Sequence, residues 1–89
     1  MRVNKKIVSK MINKYGKDQC STIVMEECSE LIQAVSKEKR KKHDKEHLAE
    51  EMVDVMICLE MLKQIYGIDD EMLEAWLHKK QKRNAERLK

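Results

Sequence analysis

Proline and phenylalanine are absent from the 89 residues, glycine occurs twice, and tyrosine and tryptophan together occur three times. Without proline nothing breaks a helix from within, and so few aromatic residues leave the faces of a β-sheet poorly filled. The expected fold is all-α. Cysteine is also sparse: Cys20, Cys28 and Cys58 are odd in number and show no CxxC spacing. That pattern excludes a disulfide framework and a zinc knuckle, and it predicts reduced core thiols in a cytoplasmic chain. Long hydrophobic runs are missing as well. The longest, Val55 to Leu59, falls far short of the roughly 20 residues that cross a bilayer, and no signal-peptide h-region stands at the N-terminus. No membrane partner is expected.

What the chain does have is charge, 39% of its residues, and the charge is segregated. Residues 1–17 carry six bases and no acid, 18–36 four acids and no base, 37–45 six bases and two acids, 46–74 nine acids and one base, and 75–89 six bases and one acid. A nucleic-acid binder with a uniformly basic surface would not alternate in this way, which argues against nucleic acid as the partner. The length allows one domain, residues 1–89, whose core is thin because a chain of this size hides only roughly 60% of its unfolded surface.

Four helices are predicted. The glycines of Tyr15-Gly16 and Tyr66-Gly67 read as left-handed C-caps, and Ile68 followed by Asp69-Asp70 reads as an apolar cap contact and a new N-cap. Helix 1 is expected from about Val3 to Tyr15, with Val3, Ile7, Val8, Met11, Ile12 and Tyr15 as its apolar stripe. Helix 2 is expected from Cys20-Ser21-Thr22 to about Glu38, with Ile23, Leu31, Ala34 and Val35 inward. Helix 3 is expected from the N-cap Asp44 to Tyr66, and helix 4 from about Asp70 to the C-terminus, with Met72, Leu73, Trp76, Leu77 and Leu88 aligned. From Met52 to Leu62 helix 3 has hardly any polar face, and a helix that is apolar all round must be covered all round. Three short helices cannot do that. The expectation is a small four-helix bundle-like chain, with helices 2 and 3 as an antiparallel hairpin, completed by oligomerisation through helix 3 as a homodimer or homotetramer.

Glu27 and Glu30 are spaced i, i+3, as are Glu51 and Asp54, so each pair shares a helix face. If the hairpin turns at the middle of the basic linker, between Arg40 and Lys41, Glu30 faces Glu51 and Glu27 faces Asp54. These acids interrupt the inward stripes of their helices. Four carboxylates on a partly apolar interior repel one another and are costly to desolvate, so a cation is needed. Oxygen ligands alone suit Mg2+, or Mn2+, better than zinc, and no glutamate has a histidine three residues on, as a di-iron bundle would require. Mg2+ held by a few carboxylates completes its shell with water and substrate phosphate, which points to a phosphate-bearing ligand. His43 and His47 are i, i+4 neighbours but lack a third ligand in the sequence, and the favoured reading is a solvated turn.

Glu26-Glu27-Cys28-Ser29-Glu30, followed by Glu51-Met52-Val53-Asp54, resembles the EExxE and ExxD signature of MazG-like nucleoside triphosphate pyrophosphohydrolases of the all-α NTP pyrophosphatase superfamily, in their short single-domain type. The likeness covers about residues 15–66, and Val53 stands where longer members often have glycine. It implies Mg2+-dependent hydrolysis of a nucleoside triphosphate to the monophosphate and pyrophosphate. It also implies Glu27, Glu30, Glu51 and Asp54 as metal ligands. Glu26 and Glu27 are then the catalytic acids, with Glu26 orienting or deprotonating the attacking water. Cations on helix 4, namely Lys80, Arg83 and Arg87 with Asn84 among them, are candidates for substrate phosphate. Two alternatives stand beside this reading: a non-catalytic helical adaptor or nucleic-acid-associated module, and a superfamily member acting on phosphoribosyl-ATP.

Overall fold

A computed structural model describes residues 2–89. The described residues form α1 (Lys5–Tyr15), α2 (Lys17–Lys39), α3 (Lys45–Tyr66) and α4 (Asp70–Arg87), with no strand among them. The all-α, bundle-like fold is therefore as expected, and the closest packing is between α2 and α3.

The boundaries follow from capping. Asn4 accepts hydrogen bonds from the amides of Lys6 and Ile7 and starts α1 two residues later than the apolar pattern suggests. Asp44 caps α3 through the His47 amide and Asp69 caps α4 through the Met72 amide, each oxygen satisfying a donor that the first helical turn leaves unpaired. Gly67 adopts the left-handed conformation at φ 67° and ψ 37°, and both its amide and that of Ile68 reach back to the Lys63 carbonyl.

Gly16 corrects one expectation. At φ 87° and ψ 156° it lies outside the left-handed helical region, in backbone space that is essentially restricted to glycine. It ends α1 through a bond from its amide to the Ile12 carbonyl, and its own carbonyl accepts the Cys20 amide. One residue therefore both closes α1 and opens α2, which begins at Lys17 rather than near Cys20. At the other end of α2 the left-handed residue is Lys41, at φ 61°, and the Lys42 amide bonds to the Lys37 carbonyl. No glycine marks this turn in the sequence.

The core lies where α1, α2 and α3 meet: Val8, Cys20, Val24, Cys58 and Met61 are buried, and Val3, Met11, Ile12, Cys28, Ile57, Leu62 and Ile65 pack around them. On α2 the buried line runs through Cys20, Val24 and Ala34, while Ile23 and Leu31 are half-buried and Val35 is exposed. Toward the N-terminus of α2 the inward face is thus rotated by about one position, from Ile23 to Val24, whereas Ala34 is buried as predicted. On α1, Ile7 and Tyr15 are exposed.

The fourth helix does not pack on the other three. Its N-terminus is tied down by Asp70, which accepts from Lys63 and lies 3.9 Å from Lys5, and beyond that point every residue is exposed, including Met72, Leu73, Leu77 and Trp76, the last at 57%. On α3, Met52, Val53 and Leu59 are exposed too. The apolar all-round character of α3 is therefore real, and within one chain part of it stays uncovered. No helix among the described residues is long and apolar enough to cross a membrane.

Candidate active site

The hairpin places the acid pairs against each other. One carboxylate oxygen from each of Glu27, Glu51 and Asp54 lies within 4.8 Å of the other two, so the i, i+3 spacing on each helix and the antiparallel register between them produce a single trio. Glu51 is buried at 5% exposure, Glu27 and Asp54 are half-buried, and Glu30 is exposed at the rim. Glu26 is exposed on the outer side of α2, in a shallow groove shared with Thr22, Met25, Ser29, Glu30 and Gln33.

The electrostatics show what this crowding costs. Burial pushes the Glu27 carboxyl from its ordinary 4.5 up to about 7, helped by the charges of Glu30, Asp54 and Glu51 and by a hydrogen bond with Glu30. Burial also raises Glu51, with Glu30, Asp54 and Glu50 adding to the rise and His47 opposing it. Beneath the trio, the Cys58 thiol is pushed up to about 11, first by burial and then by the Glu27 charge. Glu27 Oε2 and Glu51 Oε2 are both buried without a hydrogen-bond partner among the described residues. A buried carboxylate oxygen is normally paired, because leaving it unpaired costs the desolvation of that charge. Two orphaned oxygens within one set of hard ligands match a divalent cation, and Mg2+ or Mn2+ fits the donor type.

Not every predicted residue is brought to this point. Lys80, Arg83, Asn84 and Arg87 lie on the exposed, unpacked half of α4, and within one chain they are not assembled with the acids. Nearby on that helix, Lys79 and Lys80 hold their ammonium groups over the Trp76 ring, at 5.1 and 5.8 Å from its centroid, so within the chain Trp76 is a cation platform and not a core residue. His43 and His47 do not converge either. His43 pairs with Glu38, Nδ1 to Oε2 at 2.6 Å, while Glu38 also accepts the Asp44 amide. His47 instead points along α3 to Glu51, Nε2 to Oε1 at 3.9 Å. The sequence reading paired this histidine with His43 and set both aside for want of a third ligand; the signal that identifies His47 is its i, i+4 spacing to Glu51.

Residues 4–81 match the family model described as phosphoribosyl-ATP pyrophosphohydrolase. No curated protein and no solved structure matches the chain.

Proposed function

The chain belongs to the phosphoribosyl-ATP pyrophosphohydrolase family, a family of pyrophosphohydrolases acting on nucleotide-like substrates, and from that premise we propose that it hydrolyses the α/β phosphoanhydride of a nucleoside triphosphate with Mg2+, releasing pyrophosphate. The observation that carries the reading is the trio of Glu27, Glu51 and Asp54, with two buried carboxylate oxygens unpartnered. A second substrate, phosphoribosyl-ATP, is favoured by the family match itself. Both substrates contain the same anhydride, and both reactions release pyrophosphate.

In the proposed mechanism Glu27, Glu51 and Asp54 would hold the divalent cation, with Glu30 at the rim to close the set. A cation bound there would supply positive charge to offset the clustered carboxylates, a contact for the triphosphate and a lowered pKa for a nearby water. The positive charge of such a cation would favour the ionised form of Glu27, opposing the burial and repulsion that raise it. Glu26, exposed on the next position of α2, orients or deprotonates the water that attacks in line. Phosphoryl transfer needs positioning and cations more than covalent help from the protein. Lys80, Arg83, Asn84 and Arg87 are the proposed phosphate contacts. A second copy seated on the exposed faces of α3 and α4 is the proposed oligomer, and the cytoplasm, which holds both nucleotides and reduced thiols, is the proposed location.

The test is a panel of NTPs, dNTPs and phosphoribosyl-ATP with Mg2+ or Mn2+, scored separately for pyrophosphate and orthophosphate. Pyrophosphate from at least one of these substrates is expected. Orthophosphate alone would refute cleavage at the α/β bond, and hydrolysis confined to phosphoribosyl-ATP would replace the first substrate with the second.

A further inference from the structure

At the start of α3, beside the acid trio, a second set of donors lies on one helix face. His47, Glu50 and Glu51 occupy positions i, i+3 and i+4, and one ligand atom of each lies within 4.8 Å of the other two. None of these atoms comes from the other helices. Spacing of this kind stacks side chains over a single helical turn, so the set is built into the helix before any tertiary contact forms. The third ligand that the pair His43 and His47 lacks is supplied by the two glutamates.

We infer that His47, Glu50 and Glu51 form a site for a first-row transition ion of the Zn2+ or Co2+ class, separate from the oxygen-only trio and sharing Glu51 with it. The independent observation is Glu51 itself. It is more than nine-tenths buried, its Oε1 stands 3.9 Å from His47 Nε2, and its Oε2 has no partner among the described residues. Glu51 belongs to both donor sets, the position of a bridging carboxylate. Tetrahedral ligand atoms on bonds of about 2.0–2.1 Å lie roughly 3.3 Å apart, so closing the 3.9 Å separation needs only a small rotation of two side chains. His47 and Glu50 are on the open side, lining a solvent-exposed depression with Asp44, Glu46, Ala49 and Val53, and the remaining coordination position is open to water.

The chemistry of the donors selects the ion. An imidazole nitrogen favours zinc, cobalt and nickel, whereas Mg2+ prefers oxygen and sheds its water reluctantly. The positive end of the α3 dipole opposes a cation here, but it amounts to only about half a charge, and Asp44, Glu46, Glu50 and Glu51 all fall within the first two turns. This site does not depend on the reading of the trio as a pyrophosphohydrolase centre.

Co2+ is the probe, because its visible absorption reports nitrogen and oxygen ligation directly. Titration of the full chain in the presence of excess Mg2+ is expected to show a Co2+ band, since an imidazole ligand favours Co2+ over Mg2+ even where Glu51 is shared. His47→Gln and Glu50→Gln are expected to weaken that Co2+ binding at least tenfold, while His43→Gln and His78→Gln leave it unchanged, with helical content checked for each variant by circular dichroism. Wild-type Co2+ binding in His47→Gln would overturn the assignment. So would a band that Mg2+ abolishes, or one that Asp54→Asn removes and His47→Gln keeps, because either result places the ion in the oxygen-only trio. Asp54→Asn, scored for pyrophosphate release, tests the trio separately, so the two readings fail on different variants and different signals.

Discussion

Stripped of divalent cations, the protein should lose stability as the pH rises through neutrality. The Glu27 carboxyl, ordinarily 4.5, titrates at about 7 in the folded chain, because of its burial first and its acidic neighbours second. Its folded pKa is above its unfolded one, so between these two values the folded state holds a proton that the unfolded state has released. The stabilisation is fully present below about pH 4.5 and is lost as the pH climbs through about 7. A tenfold difference in proton affinity is worth about 1.4 kcal/mol, which puts the upper limit near 3 kcal/mol. Water at the rim, where Glu30 is exposed, screens the repulsion and reduces this to about 1–2 kcal/mol. For a domain of this size that corresponds to a fall in Tm of about 5–15 °C. Glu51 is shifted in the same direction and adds to the trend. Glu38 and Asp70 are lowered by their partners, and their contributions disappear only below the ordinary carboxylate range. Lys63 is raised, and its contribution disappears only in strong alkali. The assay is thermal unfolding in a chelator from about pH 5.5 to about pH 8, repeated with Mg2+, which should flatten the slope. Glu27→Gln should flatten it without the metal, and His47→Gln separates any contribution from that histidine. A Tm that is level or rising over this range in the chelator, or a Glu27→Gln variant that keeps the full slope, would refute the reasoning.

Glu30→Gln and Asp54→Asn should each abolish pyrophosphate release while leaving the far-ultraviolet circular dichroism intact; turnover at the wild-type rate in either would remove those residues from the site. Gly67→Ala should destabilise the chain by about 1 kcal/mol, because an added Cβ meets no neighbour and the cost is the left-handed backbone alone; an unchanged denaturation midpoint would contradict that. In a thiol-labelling experiment Cys28 should react first, since Cys20 and Cys58 are buried and the Cys58 thiol is held up at about 11. Three thiols reacting at one fast rate in the native protein would show that the core is open.

Fold class and helix number were legible in the sequence because both are local properties: the missing proline, the capping residues Asp44 and Asp69, and the left-handed Gly67 each act within a few residues of their own position. The convergence of Glu27 with Glu51 and Asp54 was legible too, since a short linker between two long helices leaves one antiparallel arrangement and helical spacing does the rest, whereas Glu30, expected to face Glu51, stays exposed at the rim. The place of the turn, between Arg40 and Lys41, was legible, but the left-handed backbone of Lys41 was not, because a non-glycine residue in that conformation leaves no compositional trace. The start of α2 was missed because Gly16 serves two helices at once.

By itself, then, the sequence determined the helices, the hairpin and the identity of the clustered acids, because these follow from propensity, capping and spacing along the chain. The tertiary structure decided how deeply each acid is buried and which oxygens are left without partners. It also decided that α4 stands away from the other helices within one chain. These outcomes turn on desolvation and on distances between residues far apart in sequence, and on a rotation of about one position in the buried face of α2, and no local pattern encodes them.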